Sequence, residues 1–456
     1  MTLSEWLTEE RVAERLTAAG MRETCAALAA SCFVQTATEL SRRGVKSGDS
    51  VLGLWVPGRI EVLGKHTDYC GGQSLLTAAE RGFSMLATPA NGRLLQMIDA
   101  RQNESCEFPL DGSLQPRLGH WSNYPQTVAR RVARNFPHAS HGATIAFVSN
   151  LPASSGMSSS SALVVGTFLA ISHFNDLVRD ETYARHIRNH EDLAGYLATV
   201  ENGMSFGPLA GDTGVGTFGG SEDHTAILNC QSDQLSLYAY CPLKFRRSVT
   251  IADQYAFAIA SSGVIAEKTG ESLAKYNRIS ALATEIVRLW QSVTKQKVSS
   301  LTEILGSAPD AEDRLRFILN DAAHSAFTTE ELTERLDHLV IENRLVESVP
   351  NRLDSDTINE FGALALQSHQ AAAELLKNQT PETNRLVELA TQLGAHGASA
   401  FGAGFGGSVW AIIDSDASGA FLNDWQQQYG KAFPQAAERS AFFIMRPGPP
   451  AISWPD

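Results

Sequence analysis

No run of apolar residues in this chain approaches the roughly eighteen that a membrane-spanning helix needs. The longest candidate, Ala162 to Ile171, is broken by Gly166 and Thr167. An apolar signal-peptide core is missing too, since the opening MTLSEWLTEERVAERL carries acids early. Cysteine is sparse: Cys25, Cys32, Cys70, Cys106, Cys230 and Cys241 stand far apart, with no CxxC pair. That spacing excludes a structural zinc ligand set and suits reduced thiols in the cytoplasm. A surplus of positive charge is also lacking, with 37 Lys and Arg against 50 Asp and Glu and a formal net charge of -13. Such a balance argues against a broad nucleic-acid or anionic-membrane surface and leaves room only for a local basic pocket. Repeats and charge blocks are absent as well. What these absences leave is a soluble cytoplasmic protein, a monomer or a homodimer.

At 456 residues the chain exceeds the size, about 250–300 residues, at which one core stops growing, so two packed domains are expected. Hydrophobic residues at 43% and charged residues at 19% match a globular enzyme and exclude a disordered chain. Residues 3–43 read as helical, and Val51 to Val56 as a buried strand ending at Pro57-Gly58. Strands are expected near 75–79, 83–88, 94–98 and 143–148, with helices over 121–134, 161–174 and 181–200. The C-terminal half shows strand patterns near 255–261 and 408–413, with helical ones around 271–292, 312–323, 329–346 and 356–378. The glycine-rich stretch 203–221 is long enough to read as a functional loop. The chain therefore divides into a helical extension, 1–50, and two domains, 51–220 and 221–456.

Three loops carry chemistry. In SNLPASSGMSSSSAL, residues 149–163, a strand enters, a proline turns the chain, and Gly156 with Ser158 to Ser161 opens an apolar helix. Backbone N–H groups at a helix N-terminus, with the helix dipole behind them, make a phosphate site. It is not the GxxxxGKS loop, because no lysine follows. In GRIEVLGKHTDYCGG, residues 58–72, Arg59, Glu61, Lys65, His66 and Asp68 crowd a turn after a buried strand, which suits polar ligand recognition. In FGAGFGGSVWAII, residues 401–413, two glycine pairs precede a strand. Each loop alone also fits a plainer reading: a helix-capping serine loop, a solvated turn with local ion pairs, a tight turn between packed backbones. Three together make coincidence a poor explanation.

These residues resemble the GHMP kinase superfamily, and specifically its galactokinase branch. Residues 58–72 are similar to the galactokinase signature GRVNLIGEHTDYNGG, matching at Gly58, Arg59, Gly64, His66, Thr67, Asp68, Tyr69, Gly71 and Gly72. Residues 151–162 resemble the superfamily's phosphate loop, and 402–407, GAGFGG, its C-terminal glycine motif. Weaker echoes lie between: Trp121-Ser-Asn123-Tyr124 resembles a WxNY near the adenine pocket, and Ser221-Glu-Asp223-His224 sits at an IMDQ-like catalytic segment. Tyr276-Asn277-Arg278 resembles a YNxR element, and Ser368-His369 an SH pair, with His369 read as structural.

The resemblance implies a two-domain α/β fold, with a ribosomal-S5-like N-terminal domain and a ferredoxin-like α/β C-terminal domain around a shared cleft. It implies ATP as donor, with Mg²⁺ as the one metal. Ser155, Gly156, Met157, Ser158, Ser159 and Ser160 then surround the ATP phosphates, with Trp121 near the adenine. Ser159 or Ser160 holds Mg²⁺ together with Glu201. Asp223 accepts or orients the proton of the attacking hydroxyl while Arg59 lies near the transferring phosphate. A carboxylate beside a guanidinium stays ionised, which makes Asp223 more an orienting group than a strong base. Lys65, His66, Asp68 and Tyr276 meet the sugar.

The match has departures. Lys65 stands where the family carries a sugar-contacting glutamate, and Glu61 where the signature has asparagine. Either the two form a swapped, self-neutralising ion pair, or Lys65 faces the substrate and favours an acidic sugar. Thr269 replaces a histidine upstream of Tyr276. The expected function is ATP-dependent phosphorylation of galactose or a related monosaccharide, at the anomeric hydroxyl. Alternatives are a kinase for a uronate, amino sugar or other hexose, and a non-catalytic sugar and ATP sensor. A GHMP-type acid decarboxylase or isoprenoid kinase is disfavoured by HTDY-GG.

Overall fold

The computed structural model describes residues 1–153, 155–264, 270–321 and 326–455, without the side chains of 270–272. Thr269 and the end of the helix expected over 312–323 lie outside the described residues. The strands, in chain order, are β1 (Leu52–Leu63), β2 (Gln73–Ala90), β3 (Leu94–Asp99), β4 (Glu104–Pro109), β5 (Gly142–Ser149), β6 (Gln234–Ala239) and β7 (Lys244–Ile251). They continue as β8 (Tyr255–Ser261), β9 (Arg352–Leu353), β10 (Gly397–Phe401), β11 (Ser408–Asp414), β12 (Ala441–Met445) and β13 (Ile452–Trp454). Among the described residues they form two sheets. The larger has nine strands in the order β4-β3-β5-β2-β6-β7-β9, with β1 pairing β2 and β13; the smaller is β10-β11-β8-β12.

The long hairpin of β1 and β2 organises the larger sheet. Its antiparallel register runs from Leu52 opposite Ala87 to Leu63 opposite Leu75, with irregularities between Pro57 and Arg59 and between Glu61 and Leu63. The expected separate strands at 75–79 and 83–88 are one continuous strand, because Arg81-Gly82 stays extended opposite Pro57. The expected break at 220/221 falls inside this layer: β6 pairs onto β2 and β7 onto β6, and the chain first enters the smaller sheet between Ile251 and Tyr255.

Both faces of the larger sheet are covered, so its strands read as near-continuous apolar runs. Period-two alternation sends Leu54, Val56, Met85, Ala87, Met97, Ile145 and Phe147 to one core. That core is completed by the helices Asn123–Asn135, Ser159–Asn175 and His190–Asn202. The intervening Trp55, Leu86, Ile98 and Ala146 point the other way, onto Leu3, Trp6, Phe33 and Ala37. The first fifty residues therefore form the outer layer of this sheet. They fold as three helices, Leu3–Trp6, Glu9–Ala18 and Glu23–Arg42, because Thr8 and Gly20 interrupt the expected single helix. Among the described residues no helix is long and apolar enough to cross a membrane.

Trp6 shows how closely this layer is fitted. Its ring stacks on Phe33 at 4.9 Å between centroids and meets Trp454 edge-on at 6.0 Å. A side chain at Gly53 would run into the Trp6 indole. Trp6→Ala is expected to cost about 3–5 kcal/mol, whereas Leu7→Ala, at a half-exposed position, stays within about 0.5 kcal/mol. Urea midpoints compare the two; equal midpoints would show that the N-terminal layer adds nothing to the fold.

Candidate active site

A cleft of about 740 Å³ lies where the two sheets meet. Its walls come from β1, from the N-terminal end of Ser159–Asn175, from residues 215–224 and Tyr276, and from residues 401–407. Arg59, His66, Asp68, Trp121, Gly156, Ser158, Ser159, Ser160, Glu201, Asp223 and Tyr276 all line it, so most of the expected site converges.

At one end, Gly156 takes φ +73° and Ser158 φ +61°, turning the chain into the helix so that its first N–H groups face the cleft. Ser158 Oγ is buried without a hydrogen-bond partner, a donor held ready for an anion. The C-terminal glycine motif closes over this turn: Gly402, at φ +82°, approaches the Gly156 carbonyl so tightly that a Cβ would stand 2.8 Å from it. Ser155 and Met157 are the exceptions to the expected phosphate contacts. Ser155 turns its carbonyl to Ser408 Oγ at 2.7 Å, and the Met157 side chain is buried in the core between the sheets. Neither lines the cleft. Further out, Trp121 Nε1 donates to Glu104 Oε2 at 2.8 Å, and Asn123 Nδ2 to the Val215 carbonyl at 3.2 Å.

The centre is a buried ion cluster. Alternation along β1 points Arg59 and Glu61 into the cleft while Ile60 and Val62 enter the core, and the two register irregularities bracket this pair. Arg59 Nε donates to Asp223 Oδ1 at 2.7 Å, its Nη1 to the Gly156 carbonyl at 2.7 Å, and Glu222 Oε1 lies 3.5 Å from Nε. Burial opposes the guanidinium's charge, but Asp223, Glu222 and Glu61 outweigh it and hold its pKa above the ordinary value. Ser161 Oγ stands 2.9 Å from Glu201 Oε2 and 3.2 Å from Asp223 Oδ2, linking the two carboxylates. The hydroxyl brought to Glu201 is thus that of Ser161, while Ser159 and Ser160 lie at the cleft wall.

Around the signature loop, Asp68 accepts from the backbone N–H of Glu222 at 3.2 Å and of Tyr69 at 2.9 Å. Burial raises its pKa, and those two donors hold it down. His66 Nδ1 is hydrogen-bonded with the Tyr69 hydroxyl at 2.8 Å, with Nε2 3.3 Å from the Ala403 carbonyl. Burial and the nearby Arg335 depress His66 to about 3, so the ring is neutral near pH 7 and ties the signature loop to the glycine motif. Tyr276 lies with its ring 5.7 Å from that of His66.

Lys65 is the expectation that the structure corrects. Its side chain is almost wholly buried, absent from the cleft wall, and its Nζ donates to Ser368 Oγ at 2.6 Å. Ser368 in turn donates to Glu342 Oε1 at 2.5 Å, while Glu342 Oε2 accepts from the Gly64 N–H at 2.9 Å. The physical reason is that the alternation of β1 is broken before Lys65, by the register irregularity between Glu61 and Leu63 and by Gly64 at φ +92°, so that Lys65 turns toward Ser368 and, through it, Glu342 on the helix Thr329–Glu347. Glu61 and Glu222 are the cleft residues that sequence reasoning did not assign; the i, i+2 relation to Arg59 was the available signal for Glu61.

The comparisons with known proteins fit this geometry. The family model of the GHMP kinases N terminal domain matches residues 123–211, that of the GHMP kinases C terminal matches 353–431, and the galactokinase galactose-binding signature matches 49–89. The two-domain fold resembles that of the GHMP kinases. A galactokinase of Roseiflexus sp. (strain RS-1) is 26% identical over 84% of this chain and 88% of its own length. A galactokinase of Clostridium beijerinckii is 25% identical over 86% of this chain and 92% of its own. The chain is thus similar to galactokinases along most of its length, and three stretches of it match models of the GHMP kinases and of the galactokinase signature. In fold it is similar to the solved Lactococcus lactis galactokinase complexed with galactose, with TM-score 0.73 at 22% identity, covering 91% of this chain and 98% of that one.

Two expectations follow. Lys65→Met strips a counter-charge from buried Glu342 and should cost about 3 kcal/mol of stability; a variant that keeps wild-type stability and loses sugar affinity would return Lys65 to the sugar site. Burial pushes the Glu61 carboxyl up to about 7 from 4.5, against the pull of Arg59 and Lys65. An acid raised in this way binds its proton more tightly in the folded chain, so its stability contribution declines as pH rises from 4.5 through about 7. Glu61→Gln should flatten the stability–pH curve across that window in urea titrations.

Proposed function

We propose that this protein transfers the γ-phosphoryl group of ATP to a hydroxyl of galactose or a closely related monosaccharide, the anomeric hydroxyl being the acceptor. One observation carries the reading: Arg59 bonds Asp223 with one nitrogen and the phosphate-turn carbonyl of Gly156 with another, so acceptor end and donor end share a single guanidinium. Phosphoryl transfer asks a protein mainly for positioning and charge neutralisation, and this cleft is built for both. The serine turn and helix N-terminus hold the phosphates, with the unpartnered Ser158 Oγ as an added donor. Trp121, Asn123 and Tyr124 edge the outer part of the cleft, where the nucleoside lies.

Among the described residues there is no group of three side chains of the metal-ligating kinds. Mg²⁺ keeps waters and phosphate oxygens and takes only one or two protein ligands. Glu201 with a neighbouring serine hydroxyl, Ser161 by geometry, supplies those. When bound, the ion neutralises phosphate charge during transfer. Asp223 is paired with Arg59 and orients the acceptor hydroxyl, receiving its proton late in the reaction. Asp68 and Tyr276 border the same space and hold the sugar, with His66 fixing the wall behind them.

Asp223→Asn keeps the shape and removes the proton acceptor, so kcat for galactose should fall by about 10²–10⁴-fold in an ADP-release assay. Turnover equal to wild type would remove Asp223 from the reaction.

A further inference from the structure

The glycine-rich loop that links Glu201 to Asp223 forms part of the cleft wall through Val215, Gly216, Thr217, Gly219 and Gly220. Such a stretch has few side chains with which to hold itself, and glycine loses more conformational freedom on ordering than any other residue. Its backbone is held from outside instead. Asn123 Nδ2 donates to the Val215 carbonyl at 3.2 Å, and Asn202 Nδ2 to the Gly219 carbonyl at 2.8 Å. Between these two, Asn277 makes a pair of bonds. Its Nδ2 donates to the Gly216 carbonyl at 3.0 Å, and its Oδ1 accepts from the Phe218 N–H at 3.1 Å.

Asn277 differs from the other two tethers in where it stands. Asn123 and Asn202 are on helices that complete the core of the larger sheet. Asn277 is on the helix Gly270–Thr294, which packs with Thr329–Glu347 in a separate core. Gly216 takes φ +102°, a conformation that residues with side chains rarely adopt. Its carbonyl goes to this second helix, while the preceding carbonyl of Val215 stays with Asn123. The backbone that follows packs on the two side chains assigned to the sugar. A Cβ at Gly219 would stand 2.6 Å from the Tyr276 hydroxyl, and one at Gly220 would run into the Asp68 carboxylate. The segment that Asn277 holds therefore leads directly into the wall of the acceptor pocket.

We infer that Asn277 is a positioning residue for the acceptor: by holding residues 216–218 to the helix Gly270–Thr294, it sets the loop against Tyr276 and Asp68 before the sugar arrives. The inference rests on the kinase reading above and adds to it a residue that is absent from the cleft wall and acts through the loop. Without its two bonds the loop occupies the competent arrangement only part of the time, and the apparent affinity for the acceptor falls by that fraction. Once the sugar is bound the loop is in place, so the transfer step keeps its rate.

The test makes two measurements on the wild-type chain, Asn277→Ala and Asn277→Asp. The first is kcat and the galactose KM at saturating ATP. The second, without substrates, is the rate of chymotrypsin cleavage after Phe218, which is 56% exposed within the tethered segment, with the cut located by mass. Asn277→Ala should raise the galactose KM about tenfold and leave kcat within about twofold. Cleavage after Phe218 should also quicken about tenfold, because it follows the population of the opened loop. Asn277→Asp keeps the acceptor for the Phe218 N–H and loses the donor to Gly216, so it should show both changes to a smaller degree. It also serves if the alanine variant misfolds. An unchanged cleavage rate, or a fall in kcat with KM unmoved as a loss of folded molecules gives, overturns the positioning role and leaves the kinase standing. If wild type turns over no sugar, the kinase reading falls and the positioning role with it. The cleavage rates then separate that result from a loop that Asn277 never held.

Discussion

A guanidinium buried between two sheets has to be neutralised where it stands, and the rest of the site follows from that requirement. Removing an ion from water costs several kcal/mol even after relaxation, so Arg59 is stable only while Asp223, Glu222 and the Gly156 carbonyl remain in place. Those partners come from the helix Glu222–Asn229 and from the phosphate turn, while Arg59 itself is on β1. One cation therefore sets the relative positions of three chain segments far apart in sequence. A shift in any of them strands a buried charge, which gives the cleft its definition.

The signature loop is fixed by a second set of contacts behind it. Arg335, on the helix Thr329–Glu347, donates to the His66 carbonyl at 2.6 Å; Glu342 receives the Gly64 N–H; Asn343 Oδ1 accepts from the Gln73 N–H at 3.3 Å. This one helix face thus holds both ends of the loop. The charged residues at 59–68 do not form one ligand-facing set. Arg59, Glu61, His66 and Asp68 border the cleft, and Lys65 belongs to the scaffold.

That division marks what the sequence can and cannot convey. Long periodic or fully apolar segments were legible: the helices at 123–135 and 159–175 and the strands β5, β8 and β11 fall where their patterns place them. Less legible were β6, β7, β10 and β12, short segments whose pairing is decided by distant partners. The serine turn, Arg59 and Asp68 stood out by residue type and spacing, because glycine turns and charge clusters carry their own signal, whereas Asp223 was reached only through the resemblance to a family. Lys65 could not be placed, since a charged residue in a loop gives no sign of which way it points until Ser368 and Glu342 are in space beside it. Ser158 to Ser161 pose the same problem: four successive serines have one composition, and only the helix's rotation brings Ser161 to Glu201 and Asp223.

The glycine motif of residues 402–407 completes the physical account. It connects β10 to β11 in the smaller sheet, yet its backbone lies against the phosphate turn, which the larger sheet and its helix carry. A Cβ at Gly402 would press on the Gly156 carbonyl, the same oxygen that accepts from Arg59. The Gly402 N–H meanwhile donates to Glu61. Close backbone approach, available only without side chains, lets one peptide touch both the serine turn and the Glu61 carboxyl. The two sheets therefore meet through glycine at the wall of the cleft. Displacing this strand connection would disturb Arg59 and Glu61 together, because both are held to the same stretch of backbone.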